Sequence, residues 1–409
     1  MNLESPNILL TELYIDNFKS FKKSKFEFGK INCLIAPNNA GKSNLVEVFE
    51  FIDTMLFENI TQAVGNVGIS IIQNYKYNQD DIVINPKFEI DNIVLIDDYL
   101  YKYTINTDIK FSFFIEKGPY PIELSVSGKI KKLKINTSDK KNNFDRLYND
   151  DIKTNLNFYE DYIEKLSKKR YTSLENDFKS KKPIFEIVAT NTNDMSTMFK
   201  NIFGVDSLFS SYYFHPDIIK NNQKFEEKYF LKDGTNLAYF LKTLDKEVFD
   251  NISTSLIGEV DLVESIELLE GSFPIVMFNE NSTGLNNKIS QHRVSDGTIH
   301  FLSLMTALHG SKSNCLIFEE PERHMHMKTL LYILNTMRDS DKQIFFTTHS
   351  MEMLQHLKLD EIIFLFRDFD GDTKGQRAED IPHIKNFMKR YKNDLVELLK
   401  LSIVGEYEE

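Results

Sequence analysis

Tryptophan is absent from this 409-residue chain, and cysteine occurs only twice. Two cysteines exclude a disulfide framework. Cys33 and Cys315 each sit inside an apolar, strand-like run (INCLI and NCLIF) and read as reduced, buried residues of a cytoplasmic protein. No apolar run approaches the ~18–20 residues that a membrane helix needs. The opening MNLESPNILL lacks the basic start and long apolar stretch of a secretory signal. No repeat period of about 20–50 residues recurs and no heptad persists, which argues against a solenoid or a long coiled coil. Positive charge is in deficit, with 49 Lys and Arg against 61 Asp and Glu, a net charge of −12. That excludes a chain coated in nucleic acid and leaves room only for a local, salt-sensitive patch. Phenylalanine is plentiful, at 33 residues, and 41% of the chain is hydrophobic, ample for the cores of two or three domains.

The stretch on which the rest depends is Ile31 to Phe49, INCLIAPNNAGKSNLVEVF. An apolar run ends in a small-residue loop and Gly41-Lys42-Ser43, followed by helix-forming sequence with Leu45, Val46 and Phe49. That is the strand–loop–helix pattern of a P-loop, in which backbone N–H groups and a helix N-terminus face phosphate oxygens. Lys42 adds a cation for the terminal phosphates, and Ser43 offers a hydroxyl to Mg²⁺. Ala36 stands where such loops usually carry their first glycine, so the turn must form without glycine's freedom.

Along the chain, residues 11–28 read as two short strands around Asn17–Phe21, and the helix from Gly41 runs to about Phe57. Residues 65–85 read as loop with some helix. From Lys87 to Asn136 the sequence turns to strand language: KFEIDNIVLI, YLYKYTIN, IKFSFFIE, PIELSVSG and KIKKLKIN, an antiparallel meander of short strands. Residues 137–182 are Lys- and Asn-rich with helical spacing; between Lys129 and Lys182 stand 15 Lys/Arg against 9 Asp/Glu, read as a solvated helical excursion. PIFEIVAT (183–190) reads as a strand, 194–203 as a helix, 223–257 as helical, and SIELLEG and FPIVMFNE as two strands.

Three further signals lie between 290 and 350. Val294-Ser295-Asp296-Gly297-Thr298 opens a helical run. Such a turn offers a hydroxyl and backbone donors to an anion, or is an ordinary N-cap; both readings stay open. Next, NCLIFEEPE carries adjacent Glu319 and Glu320 to a strand's C-terminal end. Successive residues there point apart, so Glu319 suits a metal shell and Glu320 a general base facing water. Finally QIFFTTHS ends a buried strand at His349, which reads as a γ-phosphate sensor beside the other two signals, or alone as a capped core residue.

These pieces, in this order, resemble the ABC-type ATPase heads of the SMC/RecF/OLD-like group; the resembling parts are NFKSF, APNNAGKSN, VSDGT, LIFEEPERHMHM and FFTTHS. The resemblance implies an α/β P-loop NTPase with an ABC-type head: a mixed core sheet flanked by helices, an antiparallel β lobe, and a helical insertion between the P-loop and the signature turn. It implies an N-terminal half-head over 1–136, a Lys-rich insertion over 137–257 and a C-terminal half-head over 258–409. It places the His349 strand between the Lys42 and Glu319 strands, which keeps Cys33 and Cys315 beyond disulfide reach. ATP and Mg²⁺ are the implied cofactors. Lys42 and the loop from Asn38 through Asn39, Ala40, Gly41, Ser43 and Asn44 hold phosphates, and Lys19 from NFKSF also reaches the nucleotide. Ser43 and Glu319 arrange Mg²⁺, Glu320 deprotonates water, and His349 contacts the γ-phosphate. Ser295 and Gly297 act on the nucleotide of a second subunit, so two heads sandwich two ATP molecules. The glutamine that reaches Mg²⁺ in this group has no clear counterpart; Gln73 and Gln79 are the candidates. Glu319 stands where the group usually has Asp, and Thr298 where transporters carry Gln.

About 250 residues separate Lys42 from Ser295 without a coiled coil, and about 60 follow His349, too few for an appended Toprim nuclease. The turn Asp368–Asp372 reads as a solvated loop rather than a metal site. The expectation is a stand-alone OLD-like ATPase of bacterial anti-phage defence, a homo-oligomer acting through a separately encoded effector such as a nuclease or toxin, away from membranes. The alternative is a RecF-like clamp that grips DNA directly in repair.

Overall fold

A computed structural model of the chain describes residues 7–37, 39–74, 76–77, 80–96, 99–113, 122–135, 185–189, 205–221, 229–261, 263–269, 274–282 and 285–381, together with 200, 271 and 384. Two compact units form, interleaved along the sequence: Met1–Gly29, Ser43–Asp206 and Arg367–Gly375 make the first, and Lys30–Lys42, Ser207–Phe366 and Gln376–Glu409 the second. Residues 207–257, grouped with the Lys-rich insertion in the sequence reading, belong with the second unit. Among the described residues no helix is long and apolar enough to cross a membrane.

The first unit is built on an antiparallel sheet of six strands: β1 (Asn7–Asp16), β2 (Ser24–Glu27), β4 (Ile82–Ile96), β5 (Tyr99–Phe113), β6 (Ile122–Ile135) and β7 (Phe185–Ala189), in the order β2-β1-β4-β5-β6-β7. A bulge at Thr11 restores the inward face of β1, so Ile8, Leu10, Leu13 and Ile15 are all buried although Leu10 and Leu13 are an odd number apart. The helix α1 (Lys42–Phe57) covers this unit's core with Leu45, Val48, Phe49 and Ile52; its Phe51 ring meets Phe18 edge-on and stacks on Phe113. Phenylalanine fills the core that tryptophan elsewhere would share. Two short helices follow, α2 (Ile60–Val67) and α3 (Ile69–Ile72).

The four short strands expected between 99 and 136 are two long ones. Polar residues near 108, read as punctuation, are satisfied across the ladder: Asn85 Nδ2 donates to Asp108 Oδ1 (2.7 Å) and Ile109 O (2.6 Å), so pairing runs through them. The Asp368–Asp372 turn is a hairpin tip, with Asp368 O and Oδ1 accepting from Gly371 N and Asp372 N. Asp372 is buried rather than solvated, accepting from Asn74 Nδ2 and Tyr77 OH.

In the second unit five parallel strands stand in the order β14-β3-β13-β12-β8: β3 (Ile31–Ile35), β8 (Phe209–Tyr212), β12 (Cys315–Glu319), β13 (Gln343–Thr347) and β14 (Ile362–Arg367). The α/β architecture is as expected. β15 (Thr373–Arg377) completes the six-stranded sheet. β13, the strand leading to His349, lies between those leading to Lys42 and to Glu319, and Cys33 and Cys315 are buried and not joined by a disulfide, as expected. A second sheet, β11-β10-β9 (Leu285–Ser290, Ile275–Ser282, Val263–Leu269), is antiparallel. The helical stretch expected over 223–257 is broken: α4 (Pro216–Asn221) precedes it, and α5 (Leu237–Thr243) and α6 (Lys246–Glu259) are separated by Leu244 and Asp245 in extended backbone. Residues 222–228 lie outside the described residues, as do 137–184 and 194–199. α7 (Asp296–Gly310) is apolar on nearly every side and accordingly buried from Thr298 to Leu308. α8 (Met327–Asp339) links β12 to β13, and α9 (Met351–Gln355) follows β13.

Candidate active site

Because β3, β13 and β12 run parallel in register, with Leu34 opposite Thr347 and Thr347 opposite Glu319, their C-terminal ends share one edge of the sheet. Loops leaving that edge carry residues from opposite ends of the sequence to one place.

The loop after β3 turns sharply, with Ala40 N donating to Pro37 O (3.2 Å). Ala36, which replaces the usual glycine, is buried; the left-handed backbone falls at Asn39 (φ 64°) and Gly41 (φ 104°) instead. Asn38 lies outside the described residues. Lys42 is the first residue of α1, and no acidic residue occupies that helix's first turn. A cation at the positive end of a helix is unfavourable by itself and becomes favourable with an anion bound there. Lys42 Nζ donates to Ala36 O (2.9 Å) and lies 3.2 Å from His349 Nε2; burial lowers its pKa, opposed by the nearby Glu320 carboxylate.

Glu320 follows β12 in left-handed backbone (φ 45°), an uncommon conformation for a side chain of its size. Its N–H is shared between Thr347 O (3.1 Å) and Thr347 Oγ1 (3.2 Å), which fixes it to the end of β13. Arg323 Nε donates to Glu320 Oε2, leaving Oε1 3.8 Å from His349 Nε2. His349 therefore touches both the lysine and the carboxylate, and Lys42 and Glu320 are brought within reach of one phosphate group. Glu319, the last residue of β12, is exposed, whereas Glu320 is partly buried. The Glu319 carboxylate and a serine hydroxyl are the hard oxygen donors that Mg²⁺ takes alongside phosphate.

Ser295 caps α7: its Oγ accepts from Thr298 N (3.1 Å) and lies 2.7 Å from Thr298 Oγ1. Asp296 is paired with Lys220, whose ammonium lowers its pKa. Gly297 is pressed against the loop after Glu320, where an added Cβ would stand 2.6 Å from the backbone oxygen of His324. His324 itself is left-handed (φ 62°). Gly297→Ala is expected to destabilise the fold by about 1–3 kcal/mol in denaturant unfolding, because backbone must move. Gly65→Ala, in α2 with nothing within 4 Å, is the control and should be neutral or stabilising. Behind this loop His300 is buried beside the Phe214 ring, and burial with the neighbouring His324 and Arg323 lowers its pKa to about 3, so it stays neutral.

In the first unit, Lys19 (φ 49°) pairs with Glu47 of α1, and Asn44 Nδ2 donates to Ser20 Oγ (2.7 Å). Lys19, Asn44 and Gln73 line one cleft of about 560 Å³, with Lys76, Arg367 and Asp372. Gln73 Nε2 is bonded to Asp80 O (2.9 Å), and Gln79 lies outside the described residues. Sequence reasoning did not single out Arg323, Thr347 or Glu322. The last sits in the same acidic run as Glu320, where sequence alone cannot sort the carboxylates.

Residues 31–354 match the family described as "AAA domain, putative AbiEii toxin, Type IV TA system". The chain belongs to that family. Over 389 residues this AAA domain protein is 21% identical to an "ATP/GTP phosphatase" of Helicobacter pylori, a match covering 90% of this chain and 91% of that protein. Over 93 residues it is 34% identical to the "DNA double-strand break repair Rad50 ATPase" of Archaeoglobus fulgidus, covering 21% of this chain and 10% of that one. Among solved structures it is similar to the SMC head domain from Thermotoga maritima, at 11% identity and a TM-score of 0.41, covering 90% of this chain and 98% of that one.

Proposed function

We propose that this AAA domain protein binds ATP with Mg²⁺ at the shared edge of its parallel sheet, hydrolyses it in a dimer, and through that cycle controls a separately encoded effector in bacterial anti-phage defence. The observation that carries the hydrolytic part is the convergence of Lys42, His349 and Glu320 from loops about 300 residues apart in sequence. In this reading Lys42 and the amides of Asn39 to Ser43 hold the phosphates, and Asn38, Asn44 and Lys19 are assigned to nucleotide binding as well. Ser43 and Glu319 hold Mg²⁺, which when bound neutralises charge on the phosphate oxygens. Glu320 Oε1 takes a proton from water as the water oxygen bonds to the γ-phosphorus and the bond to the bridging oxygen breaks, giving ADP and phosphate. Arg323 holds the other oxygen of Glu320, and His349 donates to the transferring group.

The remainder leans on the family. Its description names a toxin and a toxin–antitoxin system, and the Helicobacter relative is named for nucleotide hydrolysis, which supports a nucleotide-driven effector control. A RecF-like DNA clamp fits a net charge of −12 less well.

Ser295 and Gly297 are assigned to the nucleotide of the partner subunit. Activity per molecule should then rise with protein concentration at low concentration. Ser295→Arg should lower hydrolysis at least ~10-fold while leaving nucleotide affinity near that of the wild type. Concentration-independent specific activity, or full activity in this variant, refutes the shared site. Duplex DNA affinity that drops steeply between two salt concentrations would favour the clamp instead.

A further inference from the structure

Glu322 lies two residues beyond Glu320, and its carboxylate works on a different loop. A single oxygen, Oε1, accepts from Thr348 Oγ1 (2.7 Å), His349 N (3.0 Å) and Ser350 N (3.3 Å). These donors belong to three consecutive residues directly after β13. Thr348 is buried, its hydroxyl also accepts from Ser350 N (3.0 Å), and Ser350 in turn caps α9 by accepting from Met353 N (3.2 Å). The other oxygen of Glu322, Oε2, is buried with no partner. One carboxylate oxygen therefore ties the loop that carries Glu320 to the loop that carries His349.

The His349 ring itself is 53% exposed, and its contacts are to Lys42 and Glu320, groups that move with their own loops. Nothing in those contacts fixes the ring's backbone; Glu322 does. We propose that Glu322 is a positioning residue for the hydrolysis described above: it sets the distance from the His349 imidazole to the Glu320 carboxylate by clamping the backbone at Thr348, His349 and Ser350. The inference rests on the hydrolytic reading for its effect on rate, though not for its geometry. A carboxylate suits the task because it only accepts. An amide in its place either turns its NH₂ toward three donors or buries that NH₂ at the Oε2 position without a partner.

The test is Glu322→Gln, which keeps length and shape. The turnover number is expected to fall about 10- to 100-fold with ATP affinity within about twofold of the wild type, since misplacing a group by an ångström costs on that order. Combined with His349→Ala, the same change should add less than about threefold, because the residue acts through the histidine. A merely structural role would multiply the two losses. The imidazole Cε1–H signal of His349, assigned by its absence in His349→Ala, should be sharp in the wild type and shifted or broadened in Glu322→Gln. Unchanged turnover, multiplied losses or an unmoved His349 signal overturns the inference. Should Glu322→Gln fail to fold, Thr348→Val removes one of the three donors and is expected to lower turnover about 3- to 10-fold with affinity preserved; normal turnover there overturns it too. A wild-type protein without any ATP turnover sinks the hydrolytic reading, and the His349 signal still decides whether Glu322 holds that loop.

Discussion

Lys42→Ala is expected to abolish ATP binding, raising the dissociation constant at least ~100-fold, without loss of folded stability. The ammonium would reach phosphate oxygens through charge-assisted hydrogen bonds worth about 1.5–3 kcal/mol each, so two of them account for two or more orders of magnitude. The sign on stability is the sharper half. Lys42 is a cation at the positive end of α1 with no acidic residue in the first turn, and burial already lowers its pKa. Removing it relieves a repulsion of about 0.3–1 kcal/mol and the cost of burying the charge, and forfeits the bond to Ala36 O and the attraction of the Glu320 carboxylate, which are together of similar size. The unfolding midpoint should therefore stay level or rise slightly while binding disappears, the pattern of a residue retained against its own fold's interest. Isothermal titration with ATP, together with denaturant unfolding, measures both. Tight binding in the variant would contradict the assignment, and a large loss of stability would contradict the account of the helix end.

Glu320→Gln should have the largest effect on turnover, a drop of about 10²–10⁴-fold, with ATP affinity preserved. The amide oxygen can still accept from Arg323 Nε, and the backbone bonds to Thr347 are untouched, so the loop keeps its shape while losing its base. Nucleotide bound but not consumed should hold subunits together, and light scattering should find a larger species in the variant with ATP than in the wild type once its ATP is spent. Near-normal turnover would refute the general-base role of Glu320, whatever the oligomer does.

The parts of the site legible in sequence were those whose chemistry is local. Gly41-Lys42-Ser43 needs only its own strand and helix to be recognised, and β3 and α1 lie where expected. His349 and the Glu319–Glu320 pair announced themselves by ending apolar runs, and the sheet places them beside the lysine loop. What stayed hidden depends on neighbours distant in sequence. β8 is four residues with two central serines, shows no alternation, and is a strand because β12 pairs with it. β11, reading LNNKIS, is likewise polar and is made a strand by β10. For Ser295 the two sequence readings remained open; its hydroxyl lies on Thr298, so capping is its role within this chain. Glu322 and Glu320 are indistinguishable as letters, and only the path of the backbone, left-handed at Glu320, sends one to the histidine's ring and the other to its amide.

The position of β3 also bears on how the chain is made. Its two hydrogen-bonding neighbours, β13 and β14, begin at Gln343 and Ile362, some 300 residues later. At ribosomal rates of about 5–20 residues per second, the strand INCLI waits roughly 15–60 s after its own synthesis before either neighbour exists. Both its edges are unpaired during that interval, and such edges invite pairing with other nascent chains. The same long-range closure that assembles the phosphate loop and the histidine thus leaves both edges of β3 open during synthesis, and folding yield should depend on chaperone supply as well as on the stability of the finished molecule.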